Sequence, residues 1–298
     1  MSIIIRLQGG LGNQLFQYAF AKGTASKLGV DFILDRNTYS AKDNEKNTYR
    51  KYSLDVFNSN IKFAKDTDKM GFVWFRRQKI FETFYKYLRL KRFFLPFYYR
   101  ERTFAYDENI FKQKDGTYFD GYWQTEKYFS HIRSNLRKEI CEDVSLSENA
   151  KKYSHEINTR DAISIHVRRG DYVSNPNILK YHGLCSMDYY KNSIDYIKEK
   201  ITNPHFFIFS DDYDWATQNF LYLGKNCTII KSLESKDYED IILMSKCKHN
   251  IISNSSFGWW GAWLNSHQEK IVIAPRKWFA NAPKADTRDI VPETWIRL

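Results

Sequence analysis

The C-terminal half of the chain alternates short apolar runs with segments of helical periodicity, and this alternation restricts the fold more than any other feature of the sequence. The apolar runs have the length of buried strands and lie at residues 162–167, 206–210, 227–230, 250–253 and 271–274. Between the first two runs, Tyr190, Ile194 and Ile197 recur on one face of a predicted helix over residues 187–201. Short buried strands that alternate with helices form a parallel sheet covered on both faces, so the expected fold class is α/β.

The N-terminal segment begins with a unit of the same kind. Residues 2–7 predict a strand, the glycine-rich residues 8–13 a turn, residues 14–28 a helix and residues 30–35 a second strand. A strand, helix and strand in this order are the opening of a parallel α/β sheet.

The length of 298 residues accommodates two such domains. We predict two Rossmann-like domains that face each other across a cleft, one over residues 1–150 and one over residues 151–298. Roughly the last 15 residues are expected to pack back on the N-terminal domain.

A basic aromatic stretch, residues 74–102, carries much of the formal net charge of +11. It contains nine Lys or Arg residues and eleven aromatic residues. Three interpretations stay open: an amphipathic helix packed on the domain, a patch on an anionic membrane surface, or a nucleic-acid surface.

No apolar run is long enough to span a bilayer, and the N terminus lacks the layout of a signal peptide. The expected location is the cytoplasm, with peripheral contact on the inner face of the plasma membrane as a hypothesis based on the basic aromatic stretch. The four cysteines, at positions 141, 185, 227 and 247, lack the spacing of metal ligands, so we expect reduced thiols and no metal.

Two adjacent arginines follow the predicted strand 162–167, in the sequence His166 to Asp171. The carboxyl ends of parallel strands are where an open α/β sheet binds its ligand. Two guanidinium groups at this position favour a phosphate-bearing ligand, because the planar fork of Arg matches phosphate oxygens. The alternative is a surface ion-pair cluster in which Asp171 neutralises one arginine.

Polar residues also follow other predicted strands. Asn254, Ser255 and Ser256 precede a helix, where hydroxyls and free N–H groups favour an anion, although ordinary N-capping would look the same. Asp211 and Asp240 are suited to accept hydrogen bonds from a ribose or from guanine, with helix capping as the alternative. A nucleotide diphosphate would use both kinds of group.

The first turn, GGLGN, does not match the dinucleotide fingerprint GxGxxG. Gly10 and Gly12 allow close backbone approach. Asn13, Gln14 and Gln17 offer neutral hydrogen-bonding groups suited to sugar hydroxyls.

The sequence resembles a known family in four ordered stretches: IIIRLQGGLGNQLFQYAFA, HVRRGDY, FIFSDD and ISNSSFGWWGAWLN. Together they are similar to the motif series of the bacterial α-1,2-fucosyltransferases of glycosyltransferase family 11. DGYWQTEKYF resembles a further stretch of that family. The motifs run from residue 3 to about residue 265.

The resemblance implies a GT-B fold, GDP-fucose as donor, no metal requirement, and inverting transfer of fucose to O2 of a β-galactoside. The acceptor would be an oligosaccharide, lipid-linked in one hypothesis, in surface polysaccharide (O-antigen) biosynthesis. By position, Arg168 matches the arginine that neutralises the donor diphosphate, His166 and Asp240 match guanine-side residues, and Ser255 and Ser256 match phosphate-binding serines.

The complete set of predicted site residues falls into three groups. The catalytic group is Arg168, Arg169 and Asp171; the donor-binding group is His166, Arg168, Asp211, Asp240, Asn254, Ser255 and Ser256; the acceptor-side group is Gly10, Gly12, Asn13 and Gln14. For a base that activates the acceptor, Asp171, Glu126 and Asp120 are candidates, and none is assigned.

Two other classes of function compete with this interpretation. A nucleic-acid-binding protein would explain the basic charge but not the arginines, the glycine-rich turn or the serines at the strand ends. A non-catalytic carbohydrate-binding protein would use Trp123, Trp259, Trp260 and Trp263 as sugar platforms, but tryptophans of this kind more often pack in a core.

Overall fold

The computed structural model describes residues 2–39, 50–57, 60–65, 68, 97–231, 236–283 and 285–298. The chain divides into two compact units, Met1–Ile132 and Arg133–Leu298. Residues 74–96 of the basic aromatic stretch lie outside the described residues. Its proposed contact with a membrane or a nucleic acid therefore stays a prediction.

The N-terminal unit contains a parallel sheet in the order β2-β1-β4-β3. Its strands are β1 (Ser2–Arg6), β2 (Asp31–Asp35), β3 (Tyr98–Arg100) and β4 (Tyr118–Asp120). Helix α1 (Leu11–Leu28) connects β1 to β2, and its buried side includes Leu15, Phe16 and Phe20. The predicted strand, turn, helix and strand are therefore present, with the helix beginning three residues earlier than the predicted residue 14.

The C-terminal unit contains a parallel sheet in the order β10-β9-β8-β5-β6-β7. Its strands are β5 (Ala162–Val167), β6 (His205–Ser210), β7 (Cys227–Ile229), β8 (His249–Ile251), β9 (Val272–Ala274) and β10 (Ile296–Arg297). Its helices are α2 (Arg133–Arg137), α3 (Glu148–Asn158), α4 (Gly170–Ser174), α5 (Pro176–His182), α6 (Met187–Lys200), α7 (Tyr213–Phe220), α8 (Tyr238–Lys246) and α9 (Ser256–Leu264).

Strand β5 lies in the middle of this sheet, and all six of its residues are buried. Ile163 and Ile165 pack in one hydrophobic cluster with Tyr190 and Ile194 of α6 and Phe220 of α7. Burial of side chains of this size contributes about 1.5–3 kcal/mol each. The periodicity of residues 187–201 thus reflects a helix whose apolar face covers the sheet.

The division between the units lies closer to the N terminus than the predicted boundary at residue 150. Arg133 in α2 donates a hydrogen bond to the carbonyl oxygen of Trp263 in α9. Ser147, the N-cap of α3, donates from its backbone nitrogen (2.6 Å) and its hydroxyl (2.8 Å) to the carboxylate of Glu239. These contacts join residues 133–158 to the C-terminal unit.

The last residues of the chain also belong to the C-terminal unit, where β10 extends the sheet beside β9. Leu298 donates from its nitrogen to Ala274 and accepts from the nitrogen of Arg276, at 3.1 and 2.8 Å. Backbone pairing with β9 therefore holds these residues in the sheet of the C-terminal unit, and their packing on the N-terminal domain stays a prediction.

Within the described ranges, no helix is both long enough and apolar enough to cross a bilayer.

A buried asparagine pair ties β8 to the helices around it. Nδ2 of Asn265 donates to Oδ1 of Asn250 and to the carbonyl oxygen of Cys247, both at 2.8 Å. Nδ2 of Asn250 donates to Oγ of Ser164 in β5 at 2.7 Å and to the carbonyl oxygen of Met244 at 2.9 Å. Both asparagines are buried, so every one of these donors needs its partner.

We predict that Asn265→Asp lowers the free energy of unfolding by at least about 3 kcal/mol, because a buried carboxylate would face carbonyl oxygens that now accept hydrogen bonds. The matched control is Asn192→Asp on the exposed side of α6, with an expected change below about 0.5 kcal/mol. Urea unfolding followed by circular dichroism measures both, and equal stabilities of the two variants would contradict the role of the asparagine pair.

Candidate functional site

The order of strands in the C-terminal unit reverses between β5 and β8. From β5 the chain continues to β6 and β7 on one side, and then returns to β8 on the other side of β5. The loops that follow β5 and β8 therefore leave the sheet side by side, at residues 168–169 and 252–255. Ligands of open parallel sheets bind at such a point, so these loops form the candidate site.

The two arginines of the β5 loop are held by two consecutive carboxylates that follow β6. Nη1 of Arg168 lies 2.8 Å from Oδ2 of Asp211, and Nε of Arg169 lies 3.2 Å from Oδ2 of Asp212. The backbone nitrogen of Arg169 donates to Oδ1 of Asp211 at 2.8 Å. The guanidinium of Arg169 also lies over the ring of Trp215, 4.2 Å from its centroid. Both arginine side chains keep about a fifth of their surface exposed, 21% and 20%.

Asp211 was predicted to bind the ribose or guanine, and this role stays a prediction, while the structure shows a contact with both arginines. Its two carboxylate oxygens contact the side chain of Arg168 and the backbone of Arg169, because β5 and β6 are adjacent in register. A Cβ at Gly170 would lie 2.7 Å from Oδ2 of Asp211, so the glycine leaves the space that the carboxylate needs. Asp211 therefore orients Arg168.

Asp171 lies in α4, and its side chain is outside the described residues, so its predicted catalytic role stays a prediction.

His166, near the end of β5, connects the loops that follow β5 and β8. Its Nδ1 is 2.9 Å from Oγ of Ser253 in the β8 loop, and its ring stacks on Phe257 of α9 with centroids 5.6 Å apart. Burial, assisted by the positive charge of Arg168, lowers the pKa of His166 to about 3. The imidazole is therefore neutral near pH 7 and acts as a hydrogen-bonding group, not as a cation for phosphate.

The β8 loop contains one residue that anchors the structure and two that could face an anion. Nδ2 of Asn254 donates to the carbonyl oxygens of His182 (2.8 Å) and Trp278 (3.2 Å), so this buried residue positions the loop. Its donor contact stays a prediction. Ser255 is the N-cap of α9, with its hydroxyl accepting from the nitrogen of Phe257 at 3.3 Å. Ser256 begins the helix, whose N-terminal N–H groups favour an anion.

Asp240 lies in the first turn of α8, where a carboxylate interacts favourably with the helix dipole. Its assignment to guanine stays a prediction.

In the N-terminal unit the strand order reverses between β1 and β4. The chain continues from β1 to β2 on one side and later returns to β4 on the other side of β1. The glycine-rich loop after β1 and the turn at residues 121–124 after β4 meet at this point. Oδ1 of Asn13 accepts a hydrogen bond of 2.8 Å from Nε2 of Gln124. Gln124 was not predicted as a site residue from the sequence. The only signal there was its place in the DGYWQTEKYF stretch.

The glutamines of the first turn bond the protein backbone, and the sugar-facing role of Gln14 stays a prediction. Gln14 is fully buried, donates to the carbonyl oxygens of Gly9 (3.1 Å) and Lys51 (2.7 Å), and accepts from the nitrogen of Ser53 (2.9 Å). Gln17 is equally buried and bonds to the backbone of Gln8 and Gly121.

The glycines and Asn13 of this turn differ in their exposure. Gly10 is the half-buried N-cap of α1, Gly12 is buried in the first helical turn, and Asn13 is half-buried. The acceptor-side role of these three residues stays a prediction.

Two of the candidate bases lie in this unit. Asp120 accepts hydrogen bonds from Arg6 (2.9 Å) and from the hydroxyl of Tyr98 (2.6 Å). Burial alone would raise the pKa of Asp120, but the Tyr98 hydrogen bond and the charge of Arg6 outweigh it and hold the pKa below its usual value. Asp120 is therefore a weak base and is set aside, whereas Glu126, at the start of a short helical turn, stays a candidate.

Among the described residues, no group of three His, Cys, Asp or Glu side chains lies together in an arrangement that could hold a metal ion.

The four tryptophans that a carbohydrate-binding protein would use are buried in the core. Trp123, Trp259, Trp260 and Trp263 are at most 1% exposed. Trp259 stacks on Trp263 with centroids 5.7 Å apart, and its Nε1 donates to the carbonyl oxygen of Ile290 at 2.7 Å. They therefore stabilise the fold and do not present a ring to a sugar.

We predict that His166 makes the stability of the protein depend on acidity. The unfolded chain binds a proton at this histidine near its ordinary pKa of 6.5, whereas the folded chain does so only at about 3. Stability is therefore lost as the pH falls through this window, by up to about 3 kcal/mol between roughly pH 6.5 and 4.5.

The variant His166→Asn keeps a polar partner for Ser253 but removes the titration, so its unfolding free energy should fall less steeply over this range. His155→Asn, at an exposed position in α3, should retain the slope of the wild type. Urea unfolding at a series of pH values measures the slopes. The same slope in His166→Asn as in the wild type would refute the assignment.

Comparison with known proteins supports the resemblance noted in the motifs. An alpha-1,2-colitosyltransferase of Escherichia coli is 37% identical over 305 residues, covering 100% of this chain and 99% of that protein. The O-antigen biosynthesis glycosyltransferase WbnK of Escherichia coli is 34% identical over 304 residues, covering 98% and 99%.

Among solved structures, a variant of Arabidopsis thaliana FUT1 in complex with GDP matches with a TM-score of 0.50 and 13% identity, over 95% of this chain and 72% of that chain. This likeness concerns the fold, and with the two parallel sheets it confirms the predicted α/β fold of GT-B type. The sequence matches Glycosyl transferase family 11 over residues 2–298. The chain therefore belongs to glycosyl transferase family 11.

Proposed function

We propose that this glycosyltransferase transfers L-fucose from GDP-fucose to O2 of a β-galactoside in an oligosaccharide acceptor, with inversion at the fucose C1. We also propose that this reaction is a step of O-antigen biosynthesis. The observation that carries it is the position of Arg168 and the α9 N terminus at the point where the strand order of the C-terminal sheet reverses.

The charges at this point suit a nucleotide diphosphate. Arg168 carries five N–H donors in a planar fork, so the contact of Nη1 with Asp211 is compatible with two parallel hydrogen bonds to phosphate oxygens. Ser255, Ser256 and the first N–H groups of α9 would donate to the same group. Arg169, held between Asp212 and Trp215, would support this arrangement.

In the proposed reaction O2 of the acceptor forms a bond to C1 of fucose while the bond from C1 to the diphosphate oxygen breaks. Negative charge grows on the departing GDP, and the proton of the acceptor hydroxyl is released. Fixed donors aimed at a developing charge are usually the largest single contribution to catalysis. We propose that protein cations provide this stabilisation without a metal ion.

The similar proteins differ in the sugar that their names say they transfer. The motif series resembles α-1,2-fucosyltransferases, whereas the relative that is 37% identical carries the name of a colitosyltransferase. Colitose is L-fucose without its 3-hydroxyl, so both names describe an α-1,2 linkage of closely similar sugars.

We expect Arg168→Ala to lower kcat/KM by more than about tenfold, equivalent to roughly 1.4 kcal/mol of barrier, with unchanged unfolding stability. Arg168→Lys should also be impaired, because lysine lacks the fork. The matched control is Arg288→Ala, which removes an exposed arginine paired with Asp286 in the same unit. Initial rates with GDP-fucose measure the effect, and retention of more than about a tenth of the wild-type activity would count against the site.

A second experiment addresses substrate and metal together. Incubation with GDP-fucose or GDP-colitose and a panel of β-galactosides, with and without EDTA, should give an α-1,2-linked fucoside in the presence of the chelator. Linkage analysis of the product identifies the bond. Preferential use of GDP-colitose would replace the donor in the proposal, and loss of activity in EDTA that Mg²⁺ or Mn²⁺ restores would refute metal independence.

A further inference from the structure

The turn that follows β4 contains a residue in a backbone conformation that side chains rarely adopt. Trp123 has φ of +57°. Left-handed backbone at a bulky residue costs free energy and persists only where the surroundings enforce it, often beside a functional site. The turn lies where the strand order of the N-terminal sheet reverses, which is where a parallel sheet binds ligands.

Two kinds of contact enforce this conformation. On the apolar side, the Trp123 ring stacks on Phe20 with centroids 4.2 Å apart and an interplanar angle of 9°. On the polar side, the carboxylate of Glu101 accepts from the backbone nitrogens of Tyr122 (2.6 Å) and Trp123 (2.9 Å). A Cβ at Gly121 would lie 2.5 Å from Cβ of Glu101, so the glycine permits this approach.

The position of this turn determines the position of Asn13. Gln124, only 6% exposed, follows Trp123 directly and donates to Oδ1 of Asn13 at 2.8 Å. A Cβ at Gly9, where φ is +83°, would lie 2.5 Å from Nδ2 of Asn13, so the amide rests on the glycine backbone. The contacts thus run from Glu101 through the turn to Gln124 and Asn13.

We propose that Glu101 is a positioning residue whose carboxylate holds the turn after β4, so that Gln124 orients Asn13 and thereby sets the affinity for the acceptor sugar. This inference rests on the proposed function, in which the glycine-rich loop faces the acceptor. Glu101 itself does not contact the sugar in this proposal.

The ionisation of Glu101 gives this role a measurable signature. Burial raises the pKa of Glu101 to about 7, against the lowering effect of the Tyr122 and Trp123 N–H groups, and the nearby charge of Asp120 raises it further. Asp120 is itself paired with Arg6, the hydroxyl of Tyr128 is close enough to feel the charge of Glu101, and Arg100 and Arg102 flank Glu101 along the chain. A protonated Glu101 would accept less strongly, so acceptor binding should weaken as the pH falls through about 7.

We expect Glu101→Gln to raise the KM for the acceptor about tenfold, because the amide presents an N–H to one of the two backbone nitrogens. The KM for the GDP-sugar donor should stay within about twofold of the wild type. Glu108→Gln, at an exposed position in the same unit, is the matched control and should change neither KM.

A double-mutant cycle separates positioning from a general loss of structure. If Glu101 acts through Gln124, adding Glu101→Gln to Gln124→Ala should raise the acceptor KM by less than about twofold beyond the single Gln124→Ala variant. A full additional increase, or an equal rise in the donor KM of Glu101→Gln, would overturn the proposal.

The wild type provides a test that needs no variant to fold. Its acceptor KM should rise several-fold from about pH 8 to about pH 6 while its donor KM stays constant. A flat acceptor KM over this range would overturn the proposal. If the enzyme uses a different sugar donor or acceptor, the proposed function fails, but the same comparison of the two KM values applies to whichever pair the wild type accepts.

Discussion

The ion pair between Arg168 and Asp211 is the contact on which the candidate site in the C-terminal unit depends. It exists because β5 and β6 are parallel neighbours, with Val167 opposite Ser210, so that the residues leaving both strands emerge together. A carboxylate that holds a guanidinium from one side fixes the direction of its remaining donors. The neutral, buried His166 and the N terminus of α9 complete an arrangement that favours an anion over a cation.

The two units use the same topological principle with different chemistry. In each, the candidate ligand-binding loops lie where the strand order reverses, between β5 and β8 in one sheet and between β1 and β4 in the other. The C-terminal loops present arginines and serine hydroxyls, whereas the N-terminal loops present the amides of Asn13 and Gln124 beside glycine backbone. Charged groups suit a diphosphate and neutral amides suit sugar hydroxyls, which are the two ligands of the proposed function.

Much of the sheet architecture could be predicted from the sequence, because strands such as β5 and helices such as α6 have clear periodicity over their whole length. Strands β3 and β4 were not predicted, because Tyr98–Arg100 lies within the basic aromatic stretch and Tyr118–Asp120 has an apolar run of only two residues. Helix α3 was missed because only Ala150, Ser154 and Ile157 of its eleven residues are buried in an otherwise polar segment. The burial of the predicted site residues could not be read from the sequence: Gln14 and Asn254 have side chains suited to a ligand, and both bond the protein backbone.

The burial of helix α9 has a consequence for how this fold could acquire new specificities. Trp259, Trp260 and Trp263 are enclosed in the core, so the helix cannot tilt or slide without opening a cavity. Under the proposed function, the helix N terminus would therefore keep its position whatever nucleotide sugar is bound. Divergence towards another donor sugar would then have to arise in the segments that surround this helix, while the helix itself tolerates little change.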